Sequence, residues 1–185
     1  REGPTARGPG WIVAAVRCIL DDMDIEVIIE IPRGSRNKYE YDDVRRLIRL
    51  DRVLYSSVHY PTDYGFMPNT IAPDGDHLDV LVLTEEPTFP GCMVPARVVG
   101  VLHMVDERGS DDKILAVPVG DPRFDNVHNI TELSPHWLRE IENFFETYKT
   151  LENKVTQITG WGYAEAAKLV VEDCVRAGQS EGHID

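Results

Sequence analysis

The chain has 185 residues and carries 19 lysines and arginines against 32 aspartates and glutamates, a formal net charge of −13 at pH 7. This length suits one domain with a sizeable core, and the negative charge disfavours nucleic acid and anionic membranes as partners while favouring cations, metal ions included. The three cysteines, Cys18, Cys92 and Cys174, are odd in number and far apart, which indicates neither a disulfide framework nor a zinc site. We therefore expect a cytoplasmic protein without nucleic-acid or membrane partners.

The first 22 residues differ in composition from the rest. Residues 1–10 are rich in Gly, Pro and Arg, and the apolar run that follows, WIVAAVRCIL, is interrupted by Arg17 and is too short to span a bilayer. This run also lacks a clear signal-peptide cleavage site. We expect residues 1–22 to be an extension that is dispensable for function, and residues 23–185, starting at Met23, to form a single domain.

Strands are predicted first along the chain. In IEVIIEIP, every second residue from Ile25 to Ile31 is apolar, as in a strand with one face in the core, and Glu30 lies on the opposite face. Further strand-like runs are NKYEYD, RLIRLDRVLY, DVLVLT, ARVVGVLHMV and KILAVPV. Because no long helical pattern separates these runs, an antiparallel barrel is favoured over a doubly wound sheet.

Two helices are predicted after the strands. Ser134 can cap a helix with Pro135 in its first turn, and apolar residues then recur at steps of three or four from Leu138 to Leu151. The second helix, YAEAAKLVVEDCVRAG, ends at Gly178. The sequence thus predicts a mainly β member of the α+β class, an antiparallel five-stranded OB-like closed barrel with two C-terminal helices packed on it.

An acidic cluster precedes the run DVLVLT. Asp74, Asp76 and Asp79 are so close that they raise one another's pKa unless a cation neutralises them, as a hard divalent ion would. A solvated acidic turn is the alternative, but the entry of Asp79 into a buried strand favours metal. An EF-hand does not fit, because counting from Asp74 places Asp79 where that loop requires glycine.

A second acidic group occurs in VDERGSDDK, residues 105–113, where an exposed hairpin turn is the simpler interpretation. Elsewhere in the chain, lysine, arginine and tyrosine recur beside acidic residues. Carboxylates that hold metal, together with cationic and phenolic groups that hold anionic oxygens, are what phosphoryl transfer requires. This combination favours an enzyme that acts on phosphate groups.

A family resemblance follows from eight motifs: IEIP, KYE, LDR, YPTDYGF, DGDHLDVLVL, VDERGSDDK, FFETYK and GW. In order and approximate spacing they resemble the soluble family I inorganic pyrophosphatases, most closely the actinobacterial members. The resemblance implies Mg²⁺-dependent hydrolysis of inorganic pyrophosphate to two phosphates, by direct in-line attack of a metal-activated water on the magnesium complex of the substrate. It also implies several Mg²⁺ ions, with Mn²⁺ or Zn²⁺ as substitutes, and a homohexamer.

The resemblance also implies a role for each matching residue. Asp76 is the implied general base, and Asp79 is placed to bridge two ions. The implied metal ligands are Glu30, Asp74, Asp79, Asp106 and Asp111. The implied substrate-binding residues are Lys38, Glu40, Arg52, Tyr60, Tyr64, Lys113, Tyr148 and Lys149.

The sequence departs from the family pattern at His77, where proline is usual. Losing proline loosens the turn and a histidine adds a titrating neighbour, but a solvent-facing turn residue without a role is the simpler interpretation. Two other classes of protein stay open. An OB-like nucleic-acid module is disfavoured by the charge, and a protein that only buffers divalent ions leaves the lysines and tyrosines unexplained.

Overall fold

Nine strands and two α-helices form the part of the chain that the computed structural model describes, residues 22–180. The strands are β1 Asp24–Ile31, β2 Asn37–Asp42, β3 Leu47–Val53, β4 Asp63–Met67, β5 Leu78–Val82, β6 Met93–Asp106, β7 Gly109–Ser110, β8 Lys113–Pro118 and β9 Gln157–Tyr163. The helices are α1 Pro135–Thr147 and α2 Ala164–Ser180. Within this part of the chain, neither helix has the length and apolar character of a membrane span. The predicted extension lies outside the described residues except for Asp22.

Five strands close into a ring-like sheet. β1 pairs with β4, β4 with β5, β5 with β8, β8 with β6, and β6 returns to β1. The pairs are antiparallel except β5–β8, which is parallel. β2 and β3 form a separate two-stranded sheet. The predicted mainly β fold with an OB-like barrel and two helices is confirmed.

Apolar packing joins both helices to the barrel. Phe144 and Phe145 of α1 are buried in one cluster with residues of β1, β5, β6 and β8, while Val171 and Cys174 of α2 pack in a second cluster against other residues of the same strands. Full burial of a side chain as large as that of Phe145 contributes roughly 1.5–3 kcal/mol to stability. The periodic apolar stripes recognised in the sequence are therefore the faces that attach the helices.

β4 and β9 were not predicted as strands, and both contain glycine. A Cβ at Gly65 in β4 would lie 2.0 Å from the backbone oxygen of Ile28, so glycine allows β1 and β4 to approach closely. β9 has the sequence QITGWGY and pairs with β6. Because glycine is depleted in strands, the sequence pattern did not predict β4 or β9 as strands.

The helix ends also differ from prediction. α1 stops at Thr147, and Thr150–Glu152 forms a separate 3₁₀ turn ending at Asn153, whose φ of 56° is left-handed. α2 continues to Ser180, past Gly178. A Cβ at Gly178 would lie 2.5 Å from the backbone oxygen of Asn69, so this glycine permits close packing and does not end the helix.

Candidate active site

A polar pocket of about 690 Å³ opens between the β2–β3 hairpin, the β4–β5 loop, the β6–β7 turn and the segment that follows α1. Every site residue predicted from the sequence lines it, with the exception of Tyr60. These residues are Glu30, Lys38, Glu40, Arg52, Tyr64, Asp74, Asp76, Asp79, Asp106, Asp111, Lys113, Tyr148 and Lys149. The barrel therefore brings together side chains that are more than a hundred residues apart in sequence.

Lys113 is the most buried cation of the pocket. Its side chain is 3% exposed, and its Nζ donates to Asp79 Oδ2 and Asp111 Oδ1, both at 2.5 Å. Burial alone would lower the pKa of Lys113, but the two carboxylates outweigh it and raise that pKa above its ordinary value. Burial also raises the pKa of Asp111 although Lys113 opposes this. Two predicted metal ligands thus share one ammonium group.

Asp106 is held by the segment that follows α1. Lys149 Nζ donates to its Oδ2 at 2.9 Å, and the backbone N–H of Arg108 donates to its Oδ1 at 2.8 Å. Burial would raise the pKa of Asp106, but these two hydrogen bonds and the positive charges of Lys149 and Lys113 together outweigh burial and lower that pKa. These two bonds therefore fix the position of the Asp106 carboxylate and place the ammonium group of Lys149 beside it.

Asp74 and Asp76 share a cation that sequence reasoning missed. Arg108 Nη1 donates to Asp76 Oδ2 at 2.6 Å, and its Nη2 donates to the backbone oxygen of Asp74 at 2.7 Å. The backbone N–H of Asp76 donates to Asp74 Oδ1 at 3.1 Å, which fixes the turn between the two carboxylates. Arg108 stands in the VDERGSDDK motif, but nothing in its sequence position marked it as a partner of these aspartates.

Glu30 is placed by β1 beside the β2–β3 hairpin. The backbone N–H of Tyr41 donates to its Oε1 at 2.6 Å. Burial raises the pKa of Glu30 to about 8, with Asp79 adding to the shift and the Tyr41 bond opposing it. A carboxyl group buried in this way ionises more readily when a cation binds beside it.

The hairpin supplies alternating cations and carboxylates. Lys38 Nζ donates to Glu40 Oε1 at 2.6 Å, and Arg52 contacts Asp51 at 2.5 Å and Glu152 at 3.0 Å. Asp51 and Glu152 were not predicted. Asp51 lines the pocket and Glu152 does not, and further lining residues that were not predicted include Asp43, Arg49, Glu107 and Lys154. Charged residues on a short hairpin, in a turn or after a helix look like a solvated surface in the sequence, so only their convergence in the fold identifies them.

The tyrosines combine packing with contact to the pocket. Tyr148 stacks on Phe144 with ring centroids 5.1 Å apart, and Lys149 Nζ lies 5.4 Å from the centroid of the Tyr148 ring. Tyr64 is likewise buried, and Lys113 Nζ lies 5.8 Å from the centroid of the Tyr64 ring. Burial is the main cause that raises the pKa of both phenols. Tyr60 is different, because it is buried between Tyr64 and Phe144 and does not line the pocket.

The structure contradicts the expectation that His77 is a solvent-facing turn residue without a role. Its side chain is not solvent-facing but stacks on Phe66 with centroids 4.8 Å apart. Nδ1 lies 2.9 Å from the backbone oxygen of Thr70, and Nε2 lies 3.1 Å from Asp43 Oδ1. His77 therefore connects the β4–β5 loop to the turn between β2 and β3. The charge of Asp43 suggested only an exposed turn, so no sequence pattern indicated this contact.

The donor set fits a hard divalent cation, since five carboxylates that were predicted as ligands line one pocket and no cysteine of residues 22–180 lines it. In the described residues, no three carboxylate, imidazole or thiol groups converge as a ready-made metal site. The carboxylates instead contact Lys113, Lys149 and Arg108. These ammonium and guanidinium groups stand in for positive charge that a divalent ion would supply.

The ring-like barrel and a pocket of carboxylates, lysines, arginines and tyrosines define a class of phosphate-handling enzymes. A family model described as inorganic pyrophosphatase matches residues 27–179. The chain is 55% identical over 152 residues to an inorganic pyrophosphatase of Synechocystis, which covers 82% of this chain and 90% of that protein.

Solved structures agree. The inorganic pyrophosphatase of Thermus thermophilus is 45% identical with a TM-score of 0.82, covering 84% of this chain and 91% of that one. The Helicobacter pylori enzyme is also 45% identical, with a TM-score of 0.83 and coverage of 84% and 94%. The chain belongs to the inorganic pyrophosphatase family. It is an inorganic diphosphatase, a hydrolase that acts on the phosphoric anhydride bond.

Proposed function

We propose that the protein hydrolyses inorganic pyrophosphate to two phosphates with Mg²⁺ as cofactor, the substrate being the magnesium complex of pyrophosphate. The observation that carries the proposal is the convergence of the predicted carboxylates and cations on one pocket of a barrel of this family. Glu30, Asp74, Asp79, Asp106 and Asp111 would hold the ions. When bound, divalent ions neutralise the phosphoryl oxygens and make the attacking water more acidic.

Asp76 is proposed as the general base. Its side chain is 65% exposed at the rim of the pocket, so an ionised carboxylate there can accept a proton from water that attacks in line with the leaving phosphate. Asp74 and Asp79 lie on either side of it in sequence and face the same pocket. The route needs no covalent intermediate, and no serine or cysteine is among the described residues of the pocket.

The cations are proposed to bind the two phosphoryl groups. Lys38, Arg52 and Lys149 line the pocket from the hairpin and from the segment after α1, so they can neutralise oxygens at both ends of the substrate. Lys113 contributes positive charge from the buried end of the pocket, and the hydroxyl groups of Tyr64 and Tyr148 add hydrogen bonds to the phosphoryl oxygens. Glu40 orients Lys38 through their ion pair, while Tyr60 supports Tyr64 by ring packing.

Asp76→Asn tests the assignment of the base. The amide keeps the size of the side chain but cannot take the proton, so phosphate release from pyrophosphate should fall about a hundredfold or more. The control is Asp121→Asn, because Asp121 caps a 3₁₀ turn outside the pocket. An unchanged rate in Asp76→Asn would refute the assignment. Metal uptake by the wild type without any phosphate release would instead favour a protein that only buffers ions.

The cellular and assembly assignments are proposals that rest on the family resemblance. We propose a homohexamer in the cytoplasm, and the free thiols Cys92 and Cys174 suit a reducing compartment. Sedimentation velocity tests the assembly, and a mass other than that of six chains contradicts it. We further propose that Mn²⁺ or Zn²⁺ can replace Mg²⁺, which the same phosphate assay tests with each metal alone.

The domain boundaries are also a proposal. Residues 23–185 form one catalytic domain and residues 1–22 are dispensable, an assignment supported by the family match that begins at residue 27. A truncated protein starting at Met23 should release phosphate at the rate of the full chain. A loss of activity in a truncated protein that keeps its circular dichroism spectrum would show that the extension contributes to function.

A further inference from the structure

Arg108 connects two acidic segments across the mouth of the pocket. Its backbone belongs to the β6–β7 turn and donates to Asp106, while its guanidinium group reaches the β4–β5 loop. There it contacts Asp76 Oδ2 at 2.6 Å, the Asp74 backbone oxygen at 2.7 Å and Asp74 Oδ2 at 3.5 Å. One positive charge therefore serves two carboxylates that the proposed function assigns to metal binding and to proton transfer.

Exposure distinguishes Arg108 from Lys113 and Lys149, the other pocket cations that pair with proposed metal ligands. Its side chain is 53% exposed, compared with 3% for Lys113 and 11% for Lys149. The two lysines are fixed by burial, whereas the guanidinium of Arg108 can move into solvent at little cost because exposed ion pairs are weak. Arg108 is thus the pocket cation that can leave its aspartates most easily.

We propose that Arg108 is a displaceable counter-ion of the metal site: its guanidinium pairs with Asp74 and Asp76 until a divalent ion binds at Asp74, and so it lowers the metal affinity of the site. The inference rests on the proposed function, which places metal at Asp74. Two effects act in the same direction. An incoming ion has to separate Arg108 from Asp74 and Asp76, and it experiences repulsion from the nearby positive charge.

The role differs from those proposed for Lys113 and Lys149. Those lysines contact carboxylates inside the pocket and are proposed to bind phosphate. Arg108 instead sets the metal concentration at which the site fills. In the metal-free protein it also neutralises part of the acidic cluster, which reduces repulsion between Asp74 and Asp76.

The test is a titration of the metal-free full-length protein with Mn²⁺, followed by electron paramagnetic resonance of the free ion. Arg108→Gln keeps polarity and much of the length but removes the charge, and should tighten Mn²⁺ binding by about three- to tenfold. Arg123→Gln is the matched control, because Arg123 is 56% exposed and pairs with Glu85 and Asp121, which do not line the pocket. It should change the Mn²⁺ dissociation constant less than about twofold.

Salt dependence provides a second readout. Because the effect is electrostatic, the difference between wild type and Arg108→Gln should shrink when KCl is raised from about 0.05 M to about 0.5 M. A purely structural effect of the substitution would persist at high salt. Equal or weaker Mn²⁺ binding in Arg108→Gln, compared with Arg123→Gln, would overturn the inference.

Asp74→Asn separates this inference from the proposed function. If Asp74→Asn weakens Mn²⁺ binding while Arg108→Gln behaves like the control, the metal assignment stands and only the role of Arg108 is refuted. If Asp74→Asn binds Mn²⁺ as tightly as wild type, the metal assignment fails and the inference fails with it. Tighter binding in Arg108→Gln together with weaker binding in Asp74→Asn supports both.

Discussion

At the residue scale, the pocket is a set of carboxylates neutralised by the chain's own cations. Lys113 lies between Asp79 and Asp111, Lys149 beside Asp106, and Arg108 beside Asp76. Like charges would otherwise repel one another within a partly buried site. The protein can therefore fold around its acidic pocket before any divalent ion binds, and the same cations are then available to anionic oxygens.

Lys113→Met tests how far the neutralisation of the pocket carboxylates by the chain's own cations stabilises the metal-free protein. The substitution keeps a long apolar stem but leaves Asp79 and Asp111 without their ammonium partner, so the free energy of unfolding in EDTA should fall by roughly 3–5 kcal/mol. Added Mg²⁺ should restore part of the loss, because an ion that binds only the folded state stabilises it. Urea denaturation with and without Mg²⁺ measures both effects.

The control for Lys113→Met is Lys154→Met. The Lys154 side chain is 47% exposed and pairs with Glu107 at 2.7 Å. An exposed pair of this kind contributes up to about 1 kcal/mol. If the two substitutions cost the same, Lys113 is not the electrostatic support of the pocket.

Cys174 provides a prediction for pH dependence. Burial raises the pKa of its thiol to about 11 from an ordinary value of 9.0. As pH rises, the thiol ionises at a lower pH in the unfolded chain than in the folded protein. The contribution of Cys174 to the free energy of unfolding is therefore fully present below pH 9 and is lost as the pH rises through 11. At pH 8 the native thiolate fraction is about a hundredfold lower than that of an unshifted cysteine.

We therefore expect iodoacetamide at pH 8 to label Cys174 much more slowly in the native protein than in urea, with mass spectrometry locating the adduct. Cys92 is partly exposed and provides the internal comparison. Labelling of native Cys174 at the rate measured in urea would show that its thiol is not buried between α2 and the barrel strands.

At the element scale, α2 depends on a close approach to the β4–β5 loop. Alanine normally stabilises a helix interior by about 1 kcal/mol relative to glycine. At Gly178 the new Cβ would meet the Asn69 backbone oxygen at 2.5 Å, so Gly178→Ala should instead lower the free energy of unfolding by roughly 1–3 kcal/mol. Gly120→Ala is the control, since no atom lies within 4 Å of its Cβ position.

Chemical denaturation of the two glycine variants measures the difference. Gly120→Ala should stay within about 0.5 kcal/mol of wild type. A stabilised Gly178→Ala protein would contradict the packing of α2 on the loop that carries Asp74 and Asp76.

The sequence predicted the elements with strong periodicity and missed those without it. Alternating apolar residues identified β1, and the apolar runs identified β5, β6 and β8, because burial of one or both faces determines which residues are tolerated there. β4 was missed because Gly65 serves a close contact between strands, a requirement set by β1 rather than by the local sequence. The parallel pairing of β5 with β8 is also invisible locally, since buried strands of either direction are apolar.

At the scale of the whole molecule, the candidate site could be predicted to a large extent. The D-x-D-x-x-D spacing and the accompanying motifs led to residues that line one pocket, with Tyr60 as the exception. Arg108 and Asp51, which line the pocket, and Glu152, which pairs with Arg52, could not be found, because their importance depends on charges brought near them by folding. His77 was misjudged for the same reason, since its partners Phe66 and Asp43 come from β4 and the hairpin turn.

The proposed function is the hydrolysis of pyrophosphate in this pocket with a divalent metal ion. The most direct measurement is the initial rate of phosphate release from pyrophosphate by the wild-type protein in Mg²⁺, after removal of Mg²⁺ with EDTA, and after Mg²⁺ is restored in excess. We expect release in Mg²⁺, at least about a hundredfold less in EDTA, and recovery of the original rate. Undiminished release in EDTA, or no release with Mg²⁺ present, would contradict the proposed function.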